Sequence, residues 1–423
     1  LTWKLIKHFL KKYLEANLNK PRILKILQLC LRVPLPPYDG ATIAMYSMAD
    51  SLSSNGCQVK MLAFNTKKHF VPIDTIDDTL KDKFKLETVY LDASVTITGA
   101  LKNLFRKNES YNISRFDIPE FHQKIKEILQ NESFDIVQFE GLFLSPYLTT
   151  VRKYSNAKCI LRAHNVEWII WKRLAQSTGN ILKKAYLHFL AQRLRSYENK
   201  MINLFDTIVT ITEEDQKTFK GEGCKVTTKA IPAGIDTSKF DDTDVIKAES
   251  LSVFHLGSMD WLPNIEAIEW FIKKIWPLIA EKSDQIKVFL AGKNMSPEFL
   301  NLKIKNIFVE GEIKNSKLFM KNKPVMIVPL LSGGGMRIKI LEGLAAGKVI
   351  VSTRIGAEGI LYEHHKNIII ADTPQQFADA ILGLLGNNQR LTEISAQAKL
   401  LARKHYDVKE LGRETVSFYQ SLL

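Results

Sequence analysis

Short runs rich in Val, Ile and Phe alternate with longer amphipathic stretches along almost the whole chain. In the first half the runs are Ile23–Cys30, Gln58–Phe64, Lys85–Leu91, Asp135–Glu140, Lys158–His164, Asp206–Thr212 and Val226–Pro232. In the second they are Leu251–Gly257, Ile286–Gly292, Asn306–Glu312, Pro324–Leu330, Lys348–Thr353 and Asn367–Asp372. Such runs between helical segments predict parallel sheets built from βαβ units. The pattern pauses at Ala233–Ser250, which carries Gly234 and a cluster of Asp241, Asp242 and Asp244 but no strand signal. A boundary there predicts an α/β protein of two Rossmann-like domains, 23–238 and 239–404, facing across a cleft. His405–Leu423 is helical in pattern and lies beyond the last strand. In open α/β sheets ligands bind at the carboxyl ends of strands, so the loops after these runs are the places to inspect.

Composition narrows the class. With 423 residues, 45% apolar and 25% charged, the chain can bury two cores and is not a disordered protein. Cys30, Cys57, Cys159 and Cys224 stand far apart, without zinc or redox spacing, and fit a reducing compartment. No apolar run reaches the length of a transmembrane helix. Lys7, His8, Lys11 and Lys12 interrupt the first apolar stretch, so a cleaved signal peptide is not expected. The net charge of +14 points to anionic partners such as nucleotides or phospholipid headgroups, or else to a basic surface without a partner. Nucleic acid is not expected, because no reading motif accompanies the charge. Residues 1–22 place Trp3, Ile6, Leu10 and Tyr13 at helical spacing beside Lys4, Lys7, Lys11 and Lys12. Such a helix either lies on an anionic membrane or packs on the first domain.

The most informative segment is Pro329-Leu-Leu-Ser-Gly-Gly-Gly-Met-Arg-Ile-Lys-Ile-Leu-Glu-Gly-Leu-Ala-Ala-Gly347. It reads as strand, glycine loop, helix and tight turn. Gly333, Gly334 and Gly335 allow close backbone approach and can offer N–H groups to an anion. The helix N-terminus adds partial positive charge, and Arg337 and Lys339 add cationic donors. Such a set suits a diphosphate leaving group. Glu342 follows on the same helix, where a carboxylate can accept from ribose hydroxyls. The alternative is a plain turn, with Arg337 and Lys339 facing solvent and Glu342 paired to Lys339. Asp242-Thr-Asp244 imitates a metal-binding pair but falls in the linker, where solvated charge is the expected reading.

At the glycine segment the sequence resembles the family 4 retaining glycosyltransferases of the GT-B fold. Similar landmarks follow in order from about Leu24 to Leu423. They are Pro34-Leu-Pro-Pro-Tyr-Asp-Gly-Ala41, Asn55-Gly-Cys-Gln-Val59, Arg162-Ala-His-Asn-Val-Glu167, Ile231-Pro-Ala-Gly-Ile-Asp236 and Val309-Glu-Gly-Glu-Ile313. The resemblance implies donor contacts by Gly40, Gly257, Asn264, Gly311, Ile313, Gly333, Gly334, Gly335, Met336 and Glu342. It puts His164 beside the donor sugar, opposite Arg337, with His164, Arg337 and Lys339 as the catalytic set. Glu140, Asn165 and Glu167 are expected on the acceptor side, with Glu167 able to orient Asn165 or His164. It also implies that His405–Leu423 crosses back onto the first domain. Two departures stand out. Gly334 occupies the first position of the family's Glu-x7-Glu pair, and the loop Gly257-Ser-Met-Asp-Trp-Leu-Pro-Asn264 has no Arg or Lys. The first implies that backbone N–H groups take over the contacts of that Glu to the donor sugar's hydroxyls; the second shifts phosphate neutralisation onto Arg337 and Lys339.

The function expected from these readings is transfer of a sugar from a nucleotide-sugar donor to a hydroxyl of a glycan or lipid-linked acceptor, with retention, in cell-surface polysaccharide assembly. No cofactor and no metal are expected. The expected place is the cytoplasm, at the inner membrane face if residues 1–22 anchor there. The alternatives are a sugar-nucleotide epimerase of the same fold and a nucleotide-sugar or anionic-glycan binding protein without turnover.

Overall fold

A computed structural model describes residues 23–96, 110–241 and 251–423. The basic segment 1–22 and Asp242-Thr-Asp244 lie outside the described residues. Among the described residues thirteen strands form two all-parallel sheets. The first holds β1 (Lys25–Cys30), β2 (Gln58–Thr66), β3 (Glu87–Leu91), β4 (Ile136–Glu140), β5 (Lys158–Ala163), β6 (Thr207–Thr210) and β7 (Thr227–Ala230), in the order β3-β2-β1-β4-β5-β6-β7. The second holds β8 (Ser252–Leu256), β9 (Lys287–Ala291), β10 (Ile307–Gly311), β11 (Val325–Val328), β12 (Val349–Ser352) and β13 (Ile368–Ile370), in the order β10-β9-β8-β11-β12-β13. Each predicted run overlaps one of these strands. Most strand ends are trimmed by a residue or more, while β2 runs on past Phe64 to Thr66.

Seven helices matter below: α1 (Gly40–Ser54), α2 (Glu167–Ser177), α3 (Ile181–Met201), α4 (Glu213–Gly221), α5 (Ile338–Ala345), α6 (Asn388–Tyr406) and α7 (Val408–Gln420). Both faces of each sheet are covered, which is why the strands read as continuous apolar runs. On β4, Val137 joins the core shared with Leu194 of α3, while its neighbour Ile136 joins the core shared with Leu411 and Tyr419 of α7. The period-two alternation thus feeds two separate apolar layers.

The chain crosses between the halves twice, side by side. Ile235 donates to the Tyr406 carbonyl at 2.8 Å, and Val408 donates to the Ile235 carbonyl at 3.0 Å. The C-terminal helical pattern is broken at Asp407, whose carboxylate accepts from the Lys409 amide and caps α7. His405 and Tyr406 therefore end α6 rather than open the last helix. Helix α7 lies on the first domain: Ser51 Oγ of α1 donates to the Val408 carbonyl at 2.7 Å. A Cβ on Gly412 would stand 2.2 Å from Ser51 Oγ, so only glycine lets α7 come this near α1.

Candidate active site

The loops at the carboxyl ends of the two sheets meet. Asp39 caps α1 by accepting from the Ala41 and Thr42 amides, and Gly40 opens the helix. A Cβ on Gly40 would touch Ile338 Cγ1 at 3.6 Å, so α1 and α5 face each other across the cleft. The tip of the glycine loop comes nearer still. Gly335 has φ +79°, and a Cβ there would lie 2.5 Å from Asn165 Oδ1. Both features exclude other residues at this position.

His164 follows β5 and rests on a buried polar network. Its Nε2 lies 2.6 Å from Glu140 Oε2, which also accepts from Arg162 Nη1 at 3.1 Å. Glu140 Oε1 accepts from Gln28 Nε2 at 2.8 Å and from Gln138 Nε2. Tyr419 of α7 donates to Gln138 Oε1 at 2.5 Å. Burial pushes the Glu140 carboxyl up, but Arg162 and then His164 outweigh it and hold it below the ordinary carboxylate range. The carboxylate fixes the ring: neutral His164 carries its proton on Nε2 and keeps Nδ1 for a ligand. This corrects the acceptor role expected of Glu140. Its side chain is fully buried with both oxygens engaged, so it meets no acceptor hydroxyl and serves His164 instead.

Glu167 also differs from expectation, since Glu140 rather than Glu167 holds His164. Glu167 opens α2, whose first amides donate to Glu198: Glu167 N to Oε1 at 3.1 Å and Trp168 N to Oε2 at 3.2 Å. Burial pushes Glu167 up to about 7, with Asp215 of α4 adding to it. Burial pushes Glu198 up to about 8, with Glu167 adding to it. Asp215 is pushed up to about 6, again chiefly by burial.

Across the cleft, Arg337 caps its own loop. Its Nη1 donates to the Gly334 and Gly335 carbonyls, and its guanidinium lies 5.1 Å from the Trp261 ring centroid. Nε and Nη2 are buried with no partner. Burial pulls the guanidinium down to about 10, which leaves it charged at neutral pH. A half-buried, charged group with two open donor nitrogens beside a glycine loop fits an anion. A Cβ on Gly333, where φ is +109°, would press on Arg337 Nη2 and Trp261 at 3.0 Å.

Lys339 and Glu342 pair with each other, Nζ to Oε2 at 2.8 Å. That part matches the plain-turn alternative, while the half-buried Arg337 departs from it. Asn264 donates to the Ser258 carbonyl at 2.8 Å and packs under Gly257, whose Cβ would meet Asn264 Nδ2 at 2.7 Å. Both shape the loop after β8. Gly311 ends β10 with φ +66°, Ile313 is half-buried on the second domain's core, and Met336 lies by Gly359.

One contact was not foreseen. Arg173 of α2 reaches the second domain, donating to the Gly333 carbonyl at 3.0 Å and, through both terminal nitrogens, to Glu358 at 2.8 and 3.0 Å. Nothing in the sequence marked it, because α2 reads as an ordinary amphipathic helix.

Comparison with known proteins gives a consistent picture. Residues 38–239 match the model "Glycosyltransferase Family 4", and residues 250–387 match "Glycosyl transferases group 1". An uncharacterized 44.6 kDa protein in the cps region of Klebsiella pneumoniae is 24% identical over 402 residues, covering 92% of this chain and 97% of that protein. Among solved structures, Anabaena HepE in complex with UDP is 15% identical with a TM-score of 0.64, covering 94% of this chain and 100% of that one. Sucrose-phosphate synthase of Thermosynechococcus elongatus is 12% identical with a TM-score of 0.68, covering 94% and 99%.

Proposed function

Because the chain belongs to the group 1 and family 4 glycosyltransferases and has their GT-B fold, we propose that it moves a sugar from a nucleoside-diphosphate donor to a hydroxyl of a glycan or lipid-linked acceptor, with retention and without a metal. The observation that carries the donor assignment is Arg337, half-buried and charged, with its buried Nε and Nη2 open. The leaving diphosphate accepts from these donors and from the N-terminus of α5, in a site that water leaves when donor binds. Glu342 binds the ribose hydroxyls once Lys339 turns from it to phosphate. His164, held through Nε2, offers Nδ1 to a sugar hydroxyl or the leaving group. Asn165 stands next to it on the acceptor side. Gly40, Gly257, Asn264, Gly311, Ile313 and Met336 complete the donor pocket.

UDP-sugars are the first donors to test, since the HepE structures hold UDP and UDP-glucose. The cps-region relative supports a role in polysaccharide assembly, and the basic amphipathic pattern of residues 1–22 supports placing it at the cytoplasmic membrane face. The test is incubation with radiolabelled donor and membrane glycolipid extract in EDTA, followed by proton NMR of the product. Label joined to the acceptor with the donor's anomeric configuration is the expected result. Label released as a free epimer, or donor bound without turnover, would overturn it in favour of an epimerase or a binding protein.

A further inference from the structure

The hairpin of α2 and α3 is a second cationic feature, distinct from the glycine loop. From Trp168 to Tyr197 the sequence has no Asp or Glu and six cations: Lys172, Arg173, Lys183, Lys184, Arg193 and Arg195. Arg173 and Arg195 are paired with Glu358 and Glu222. At the turn between the helices the apolar surface is unusual. Ile181 and Leu182 are 81% and 82% exposed, and Leu174 is 40% exposed. Lys183 and Lys184 follow directly and are also exposed. Single exposed apolar side chains are ordinary, but an adjacent pair standing clear of the body and joined to two lysines marks an interaction surface.

We propose that this tip docks on an anionic lipid bilayer. Ile181 and Leu182 enter the headgroup–acyl boundary while Lys183 and Lys184 meet the anionic headgroups. A polyanion such as an acidic glycan would satisfy the lysines but gains nothing from two aliphatic side chains, so the apolar pair favours the bilayer. The position suits the site. Helix α2 starts three residues after His164 and contacts the Gly333 carbonyl through Arg173. Its 11 residues span about 16 Å, which puts the tip at the outer end of a helix that borders the cleft. Delivery of a lipid-linked acceptor to His164 rests on the transfer reading; the docking itself does not.

The test is co-sedimentation of the full chain with phosphatidylcholine vesicles, with and without phosphatidylglycerol. The wild type should bind the anionic vesicles only. Ile181→Asp with Leu182→Asp should weaken that binding at least about tenfold, from the lost apolar burial. Lys183→Glu with Lys184→Glu should weaken it as well. UDP-induced thermal stabilisation, unchanged in both variants, separates lost docking from misfolding and from failure of the donor reading. Equal vesicle binding by the Ile181/Leu182 variant and the wild type would overturn the proposal and hand the role to residues 1–22 or to the charge of the body. Heparin binding that survives the aspartates, with no vesicle binding by the wild type, would overturn it in favour of a polyanion.

Discussion

The two sides of the cleft are finished to different degrees. On the first domain, the carboxylate under His164 is fully engaged: both Glu140 oxygens accept two hydrogen bonds each. Its open atoms, Gln28 Oε1 and Arg162 Nε, belong to fully buried residues behind the ring. On the second domain, Arg337 satisfies only Nη1 from within the protein, at the tip of a glycine loop. The first arrangement fixes a ring before any ligand arrives. The second leaves Arg337 Nε and Nη2 without a partner, and on the transfer reading an anion would complete that hydrogen bonding. On the transfer reading, catalytic orientation and leaving-group binding fall to opposite sides of the cleft.

The largest expected effect is on the unfinished side. Arg337→Ala should lower turnover by about ten- to a thousand-fold, the scale of losing a charged transition-state contact. Thermal stability should stay near the wild type, because two orphaned donors leave with the side chain. A large fall in melting temperature with normal turnover would reverse the contrast. On the finished side the balance is opposite. Glu140→Ala strands the buried Arg162 charge and should cost about 3–5 kcal/mol in denaturant unfolding. A loss under about 1 kcal/mol would mean that the network does not depend on its carboxylate.

The strands were readable because both faces of each sheet are covered, leaving long β-branched runs with turn residues at their ends. The glycine loop before α5 was readable because three glycines and Arg337 lie within five residues of each other. The support of His164 was not. Gln28, Gln138, Glu140, Arg162 and Tyr419 come from β1, β4, β5 and α7, and only the sheet order makes them neighbours. From sequence, a strand-end Glu140 next to Gly141 looks like a cleft residue, whereas the register of β4 with β1 and β5 buries it. The break at Asp407 was hidden because no glycine or proline stands within four residues of it on either side.

A third measurement bears on α2, which links the two sides. Folded-state values of Glu167, Glu198 and Asp215 are raised to about 7, 8 and 6. Raised carboxyl values bind protons more tightly in the folded state. Their stabilisation is therefore full below the ordinary carboxyl range and is lost as pH climbs through the folded values. Melting temperature should fall between about pH 5 and pH 9, and Glu198→Gln should flatten that fall. A profile unchanged by Glu198→Gln would remove Glu198 from the effect. The smallest effect belongs to Tyr419→Phe, which keeps the ring and removes one hydrogen bond. It should cost about 0.5–1.5 kcal/mol of stability. It should also shift the pH profile of turnover through Gln138 and Glu140, with donor affinity unchanged. An unshifted profile would make Tyr419 a packing residue only.

The central claim is that Arg337 is left open for a nucleotide's diphosphate. Calorimetric titration of UDP and GDP in EDTA, on wild type, Arg337→Ala and Glu140→Gln, tests it most directly. The account predicts metal-free binding of one nucleotide by the wild type, at least about tenfold weaker binding by Arg337→Ala, and near-normal binding by folded Glu140→Gln. Equal affinity in Arg337→Ala, or binding by the wild type only when a divalent cation is restored, would contradict it.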